Sequence, residues 1–175
     1  LGEYPAHLAT RHALKGGQTV TIRPIRADDG VLEREFLAGL SGESRYLRFH
    51  KWVQAPTDKL VHLLTDIDYD GQMAFVCTVA RGSGEQLLGE ARYVASPDGA
   101  NCEFGVMIAD GWRKSGIAGL LMETLMRTAR ERGLKTMEGL VLRSNPTMLR
   151  FARALGFDIH PLPEDPRTMR AVKKL

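Results

Sequence analysis

Three apolar runs follow one another closely: MAFVCTVAR (73–81), QLLGEARYVA (86–95) and CEFGVMIA (102–109), separated by GSGE and by a stretch containing PDGAN. Turns this short join antiparallel neighbours, so residues 73–109 read as a three-stranded meander. The hydrophobic period then changes from two to 3.6. Ala118, Leu121, Met122, Leu125 and Ala129 form the apolar stripe of a helix over residues 115–132, which Gly133 ends. KTMEGLVL (135–142) returns to a strand. A strand–helix–strand crossover added to an antiparallel meander requires a mixed sheet with helices on its faces and excludes an all-parallel doubly wound sheet.

The remaining segments extend this plan. TVTIRPI (19–25) is a β-branched strand, with Pro24 near an edge or a strand end. DDGVLEREFLAGL (28–40) has its acidic residues first and Leu32, Phe36, Leu37 and Leu40 at helical spacing. A short helix is expected over residues 41–52. TDKLVHLLTDI (57–67) offers Thr57 as N-cap and Leu60, Leu63, Leu64 and Ile67 as its apolar face. NPTMLRFARAL (145–155) is a helix with Asn145 as N-cap, Pro146 at its first position and Gly156 at its close. FDIH and TMRAVKKL are the last strands. The expectation is an α/β (α+β) fold: a mixed, mostly antiparallel sheet of about six to seven strands with helices on both faces. Residues 1–17 read as an extended lead-in and 18–175 as one domain.

Composition narrows the function. The 175 residues are 43% hydrophobic and 26% charged, ordinary values for a globular chain. No apolar run reaches the ~18–20 residues of a membrane span, and the N-terminus, which begins with Leu, carries no signal-peptide core. No membrane association is therefore expected. Two cysteines, Cys77 and Cys102, give no disulfide framework; reduced core thiols and a cytoplasmic setting fit. The net charge of +3 is mild, and without zinc spacing, aromatic RNA-binding runs or dense basic blocks no nucleic-acid partner is expected. The five histidines show no metal-ligand spacing, so no metal is expected.

The stretch GWRKSGIAGLLMETL (111–125) bears on chemistry. It places Arg113, Lys114 and small residues where a strand hands over to a long helix. Helix-start amides lack internal partners and carry the positive end of the dipole, so such a place suits an anion, and glycine lets the anion approach closely. The Walker spacing G-x-x-x-x-G-K-[ST] and the dinucleotide spacing G-x-G-x-x-G are both absent. What remains is Arg113-x-x-Gly116-x-Ala118.

That spacing, within WRKSGIAGLLMETLMRTARERGL, resembles the acyl-CoA-binding motif [QR]-x-x-G-x-[GA] of the GNAT acetyltransferase superfamily. NPTMLRFARALGF follows at the right distance and resembles the superfamily's Asn-started helix. VTIRPIRADD, SRYLRF, DIDYDGQMAFV and CEFGVMIADGWRKSGIAGLLM together resemble bacterial Pat-like protein lysine acetyltransferases, in many of which this domain is joined to a larger acyl-CoA-synthetase-like or regulatory region. The resemblance covers about residues 19–175, and YPAHL resembles the junction before such a domain.

The resemblance implies roles. Amides around Val106, Met107 and Ile108 would pair with the pantetheine arm of acetyl-CoA. Arg113, Lys114, Ser115, Gly116, Ile117, Ala118 and Gly119 would cradle its pyrophosphate, and Asn145 would face the pantetheine as well as cap its helix. Glu103 matches the family's general base. Alternation puts Glu103, Gly105 and Met107 on one face of their strand, opposite Cys102, Phe104, Val106 and Ile108; a carboxylate in so apolar a strand is costly to bury without a purpose. The tyrosine that protonates the leaving thiolate in many members is replaced by Ala152. Tyr93 could substitute but reads better as packing. Cys102 has no activating base nearby, against an acyl-cysteine route. Arg45, Tyr46 and Arg48 fall in a region that borders the family's acceptor site. The implied acceptor is a protein lysine, acyl-CoA synthetases among the targets. A small-molecule amine acceptor, and a non-catalytic acyl-CoA-sensing domain of a larger protein, stay open as alternatives.

Overall fold

The structure, a computed structural model, describes residues 2–40 and 57–175; the helix expected over 41–52, with Arg45, Tyr46 and Arg48, lies outside them. The strands are β1 (Thr10–Ala13), β2 (Thr19–Pro24), β3 (Gln72–Arg81), β4 (Gly84–Ala95), β5 (Asn101–Ile108), β6 (Thr136–Leu142), β7 (Asp158–Pro161) and β8 (Thr168–Lys174). The helices among the described residues are α1 (Gly30–Ala38), α2 (Asp58–Thr65), α3 (Ile117–Glu131) and α4 (Pro146–Ala154). All strands share one sheet, in the order β1-β2-β3-β4-β5-β6-β8-β7. Every pairing is antiparallel except β5 with β6, which the α3 crossover makes parallel.

The sheet has one strand more than the sequence suggested. Thr10–Ala13, inside the segment read as an extended lead-in, pairs with Thr19–Ile22 and forms the edge. Its residues are polar and mostly exposed, so it carries no hydrophobic alternation, and its partner supplies the pairing. Pro24 ends β2 beyond the reach of β1, where a missing N–H costs no ladder bond.

Two cores flank the sheet. Phe75, Tyr93, Cys102, Leu121, Leu125 and Met137 pack beneath α3, with Ala152 of α4. Ile25, Phe36, Leu37, Leu64, Ala74 and Met107 pack on the other face with α1 and α2. The α2 stripe differs from the expected one: Val61 is buried and Leu63 is exposed. Asp29 does not cap α1. It is buried and holds Arg23 through two 2.8 Å hydrogen bonds. Thr57 and Asn145 do cap their helices, accepting from the amides of Leu60 and Met148 at 3.1 Å each.

Candidate active site

The site is built where the sheet divides. β5 and β6 pair at three positions only, Asn101↔Thr136, Cys102↔Met137 and Glu103↔Glu138. Beyond Glu103, β5 continues alongside β4 as far as Ile108, while β6 continues alongside β8 as far as Leu142. Past Glu103 no strand among the described residues pairs with the β6-facing edge of β5. Phe104 occupies the fork. Its ring packs on Phe157 at 5.1 Å between centroids and lies over Gly139, where a Cβ would meet the ring at 2.5 Å. Glycine is therefore required on β6 for the ring to fit.

Beyond the fork, a cleft of about 800 Å³ lies between β5, the start of α3 and the start of α4; Glu103 and Phe104 are not among its lining residues. Nine of the residues that the resemblance assigns to acetyl-CoA line it: Val106, Met107, Ile108, Arg113, Lys114, Gly116, Ala118, Gly119 and Asn145. Ser115 and Ile117 do not. The Ser115 hydroxyl donates to the Trp112 carbonyl, and Ile117 is fully buried in the core. Ala118, expected in the buried stripe of α3, opens to the cleft instead. Trp112, Ser144, Pro146, Thr147, Met148 and Phe151 also line the cleft and were missed. Most of these belong to the first turns of α4 beside Asn145, so the cap that revealed that helix was also the signal for its cleft-facing side.

The start of α3 suits an anion. Gly116, its N-cap, has φ +93° and supplies no side chain to bond the first amides. Lys114 is also in the left-handed region at φ +65°. Nothing lies within 4 Å of where a Cβ of Gly116 or Gly119 would stand, so their missing side chains leave open cleft over the helix amides. Arg113 is held by Asp110 at 3.2 Å in a half-exposed pair. At α4, Asn145 Oδ1 is spent on the cap, leaving its N–H₂ group for a ligand. These features fit a pyrophosphate with a peptide-like arm.

Glu103 is exposed, on the same face as Gly105 and Met107 and opposite Val94 in β4. The expected burial penalty therefore does not apply to it. What sets it apart is its place, the last β5 residue paired to β6. The buried carboxylates among the described residues are instead Asp29, Glu33 and Glu90, with Arg92 donating to Glu90 at 3.4 Å and to the Leu64 carbonyl at 3.1 Å.

The sequence profile described as the Acetyltransferase (GNAT) family matches residues 41–157. The chain belongs to the GNAT acetyltransferase family. Acetyltransferase PA5475 of Pseudomonas aeruginosa is 35% identical to it over 153 residues, 87% of this chain and 82% of that protein. The GNAT domain of S. lividans PAT superposes with a TM-score of 0.87 at 26% identity, covering 99% of this chain and 100% of that one. A cAMP-binding acyltransferase from Mycobacterium smegmatis shares the fold, with a TM-score of 0.64 at 23% identity; 97% of this chain matches 48% of that one. The chain is thus a GNAT acyltransferase, in a family whose co-substrate is acetyl-CoA and whose acceptors are amines.

A thiol nucleophile and a tyrosine acid fit this GNAT domain poorly. The Cys102 thiol is buried, and burial together with the Glu138 charge pushes its pKa up to about 12; so protonated a thiol is a poor nucleophile. Tyr93 is buried under α3 and borders a cavity away from the cleft. Ala152, which the motif resemblance sets where many members carry a tyrosine, is buried. Among the described residues no group of His, Cys, Asp and Glu is arranged to hold a metal, and no helix is long and apolar enough to cross a membrane.

Proposed function

We propose that the chain moves an acetyl group from acetyl-CoA to a protein lysine, acyl-CoA synthetases among the acceptors, with Glu103 as general base and residues 18–175 as the catalytic unit. A cytoplasmic setting keeps Cys77 and Cys102, both free and buried, reduced. The observation that carries the reading is the fork: a carboxylate at the point where β5 and β6 part, beside a strand edge that has no paired strand among the described residues. Support for the acceptor class comes from the likeness to the PAT domain over the full length of both chains.

A lysine side chain with pKa ~10.4 is neutral in about one molecule in ~2,500 at pH 7, a cost of about 4.6 kcal/mol. Glu103 takes the ammonium proton directly or through a water, a contribution of about 10²–10⁴ in rate. Arg113, Lys114 and the α3 amides hold the pyrophosphate, and Asn145 orients the arm. The thioester that acetyl-CoA supplies is polarised by a β5 amide near Val106 or Met107. The amine attacks its carbonyl carbon, the C–S bond breaks, and CoA leaves as a thiolate of pKa near ~8.5, low enough to depart without an acid.

The test is CoA-thiol release with lysine peptides, acyl-CoA synthetases and small amines. Release with protein lysines is expected. Release confined to small amines would move the acceptor to that class, and acetyl-CoA binding without turnover on the whole panel would make the domain a sensor. Glu103→Gln should lower kcat by about 10²–10⁴ with an unchanged melting temperature, because the side chain is exposed. Full activity in that variant would remove Glu103 from the mechanism.

A further inference from the structure

We propose that a second cavity, at the end of the sheet away from the acetyl-CoA cleft, binds a small zwitterion, a free α-amino acid being the simplest of that class. The cavity measures about 510 Å³, within the range of small-molecule sites. It lies where β4 ends and α3 finishes, so it shares no lining residue with the cleft.

The first observation is Tyr93. Its side chain is 1% exposed, it borders this cavity, and its hydroxyl makes no hydrogen bond of ordinary geometry, although the Arg132 guanidinium stands close enough to act on it. A buried hydroxyl without a partner is destabilising, and phenylalanine would fill the same core position without that penalty. A bound ligand accounts for the hydroxyl. The second observation is the pair of charges at the rim. Arg132, at the C-cap of α3, donates to the Tyr69 carbonyl, which anchors its guanidinium. Asp70, in the adjoining turn, also lines the cavity. Among the described residues the two form no ion pair with each other, so both charges remain available to a guest.

These groups select the ligand. Tyr93 and Arg132 donate, and so suit a carboxylate; Asp70 accepts, and so suits an ammonium. A simple anion would face Asp70 and a simple amine would face Arg132. A molecule carrying both charges satisfies all three groups. Ala95, Pro97 and Leu134 supply apolar wall for a small side chain. Burial raises the Tyr93 pKa and outweighs the charge and hydrogen bonding of Arg132, which lower it, while Cys102 and Asp70 add to the rise, so the phenol stays protonated and can donate at neutral pH.

Titration calorimetry and thermal shift on the whole chain test this, using the twenty α-amino acids with acetate and methylamine as half-ligands. At a hundredfold excess over Kd, one or more amino acids should raise Tm by about 5–10 °C, and neither half-ligand should match it. Tyr93→Phe and Asp70→Asn should each weaken that binding about tenfold or more, with acetyl-CoA binding unchanged. Without ligand, Tyr93→Phe should keep or raise Tm. The proposal is overturned if no amino acid binds at about 10 mM, if acetate binds as well as the amino acids, if both variants bind like the parent, or if Tyr93→Phe lowers Tm in ligand-free protein. None of these readouts depends on acetyl transfer, and acetyl-CoA binding by the same samples separates failure here from failure of the acetyltransferase reading.

Discussion

Gly139→Ala tests whether Phe104 sets the fork. The added carbon would stand 2.5 Å from Phe104 Cε1 and 2.8 Å from its Cδ1 and Cζ, whereas ordinary contact begins at 3.4 Å. A displacement of about 0.9 Å is needed at the tightest contact. The ring is backed by Phe157 at 5.1 Å, so part of the displacement falls on β6 and widens the fork. Overpacking of this kind costs about 1–3 kcal/mol, or about 2–12 °C in Tm for a domain of this size. A misplacement near 1 Å beside the reacting atoms costs about 10²-fold in rate. The assay is thermal unfolding by circular dichroism alongside kcat/KM from CoA release, on Gly139→Ala, Phe104→Leu and the double variant. The double variant should recover part of both losses, a coupling of about 0.5–3 kcal/mol in stability. An unchanged Tm and kcat/KM in Gly139→Ala, or strictly additive losses in the double variant, would refute the wedge.

Four further outcomes are expected. Arg23→Met leaves Asp29, 1% exposed, without its two hydrogen bonds from the guanidinium and with only the Arg26 amide still donating to it at 2.7 Å, and should cost about 3–5 kcal/mol, or about 6–20 °C in Tm; a loss under about 1 °C would show that the buried pair contributes nothing. The same variant should flatten the acid side of the stability profile. Burial raises the Glu85 pKa, but hydrogen bonds from Thr78 and Arg23 and the charges of Arg23 and Arg26 outweigh it and lower the value overall. Stability from Glu85 is therefore present above its unfolded pKa of ~4.3 and lost as pH falls through the folded value; urea midpoints from pH 6 to pH 3 would show it, and an equally steep acid limb in Arg23→Met would contradict it. Cys77 and Cys102, both pushed up to about 12 chiefly by burial, should resist iodoacetamide at pH 8 until urea unfolds the chain, and rapid labelling of native protein would contradict their burial. Gly116→Ala should fold but raise the KM for acetyl-CoA, because its φ of +93° disfavours a side chain and its methyl would project into open cleft; an unchanged KM would remove Gly116 from the pyrophosphate cradle.

Local signals made much of this legible. The Thr57 and Asn145 caps, the glycine at 133 and the alternation along β5 each act over a few residues, and each led to the element observed. Long-range facts did not show. The polar strand β1 exists because β2 pairs with it. Glu33, Glu90 and Arg92 are charged residues that pattern reading assigns to the surface, yet they are buried. Glu103, picked out on an argument from burial, is exposed, and its distinction is positional. The α2 face was misread by one residue because VHLLT presents apolar side chains at two adjacent phases. The fork had no sequence signal of its own, since strands that separate look locally like strands that stay paired.

The three-position seam between β5 and β6 also bears on how such a chain can diversify. Residues before the crossover form a five-stranded ribbon, and those after it a three-stranded one. With so few ladder bonds shared, a substitution, insertion or changed twist in one ribbon is transmitted weakly to the hydrogen bonding of the other. The two walls of the cleft can therefore drift at separate rates, and a lineage can reshape one while inheriting the other intact.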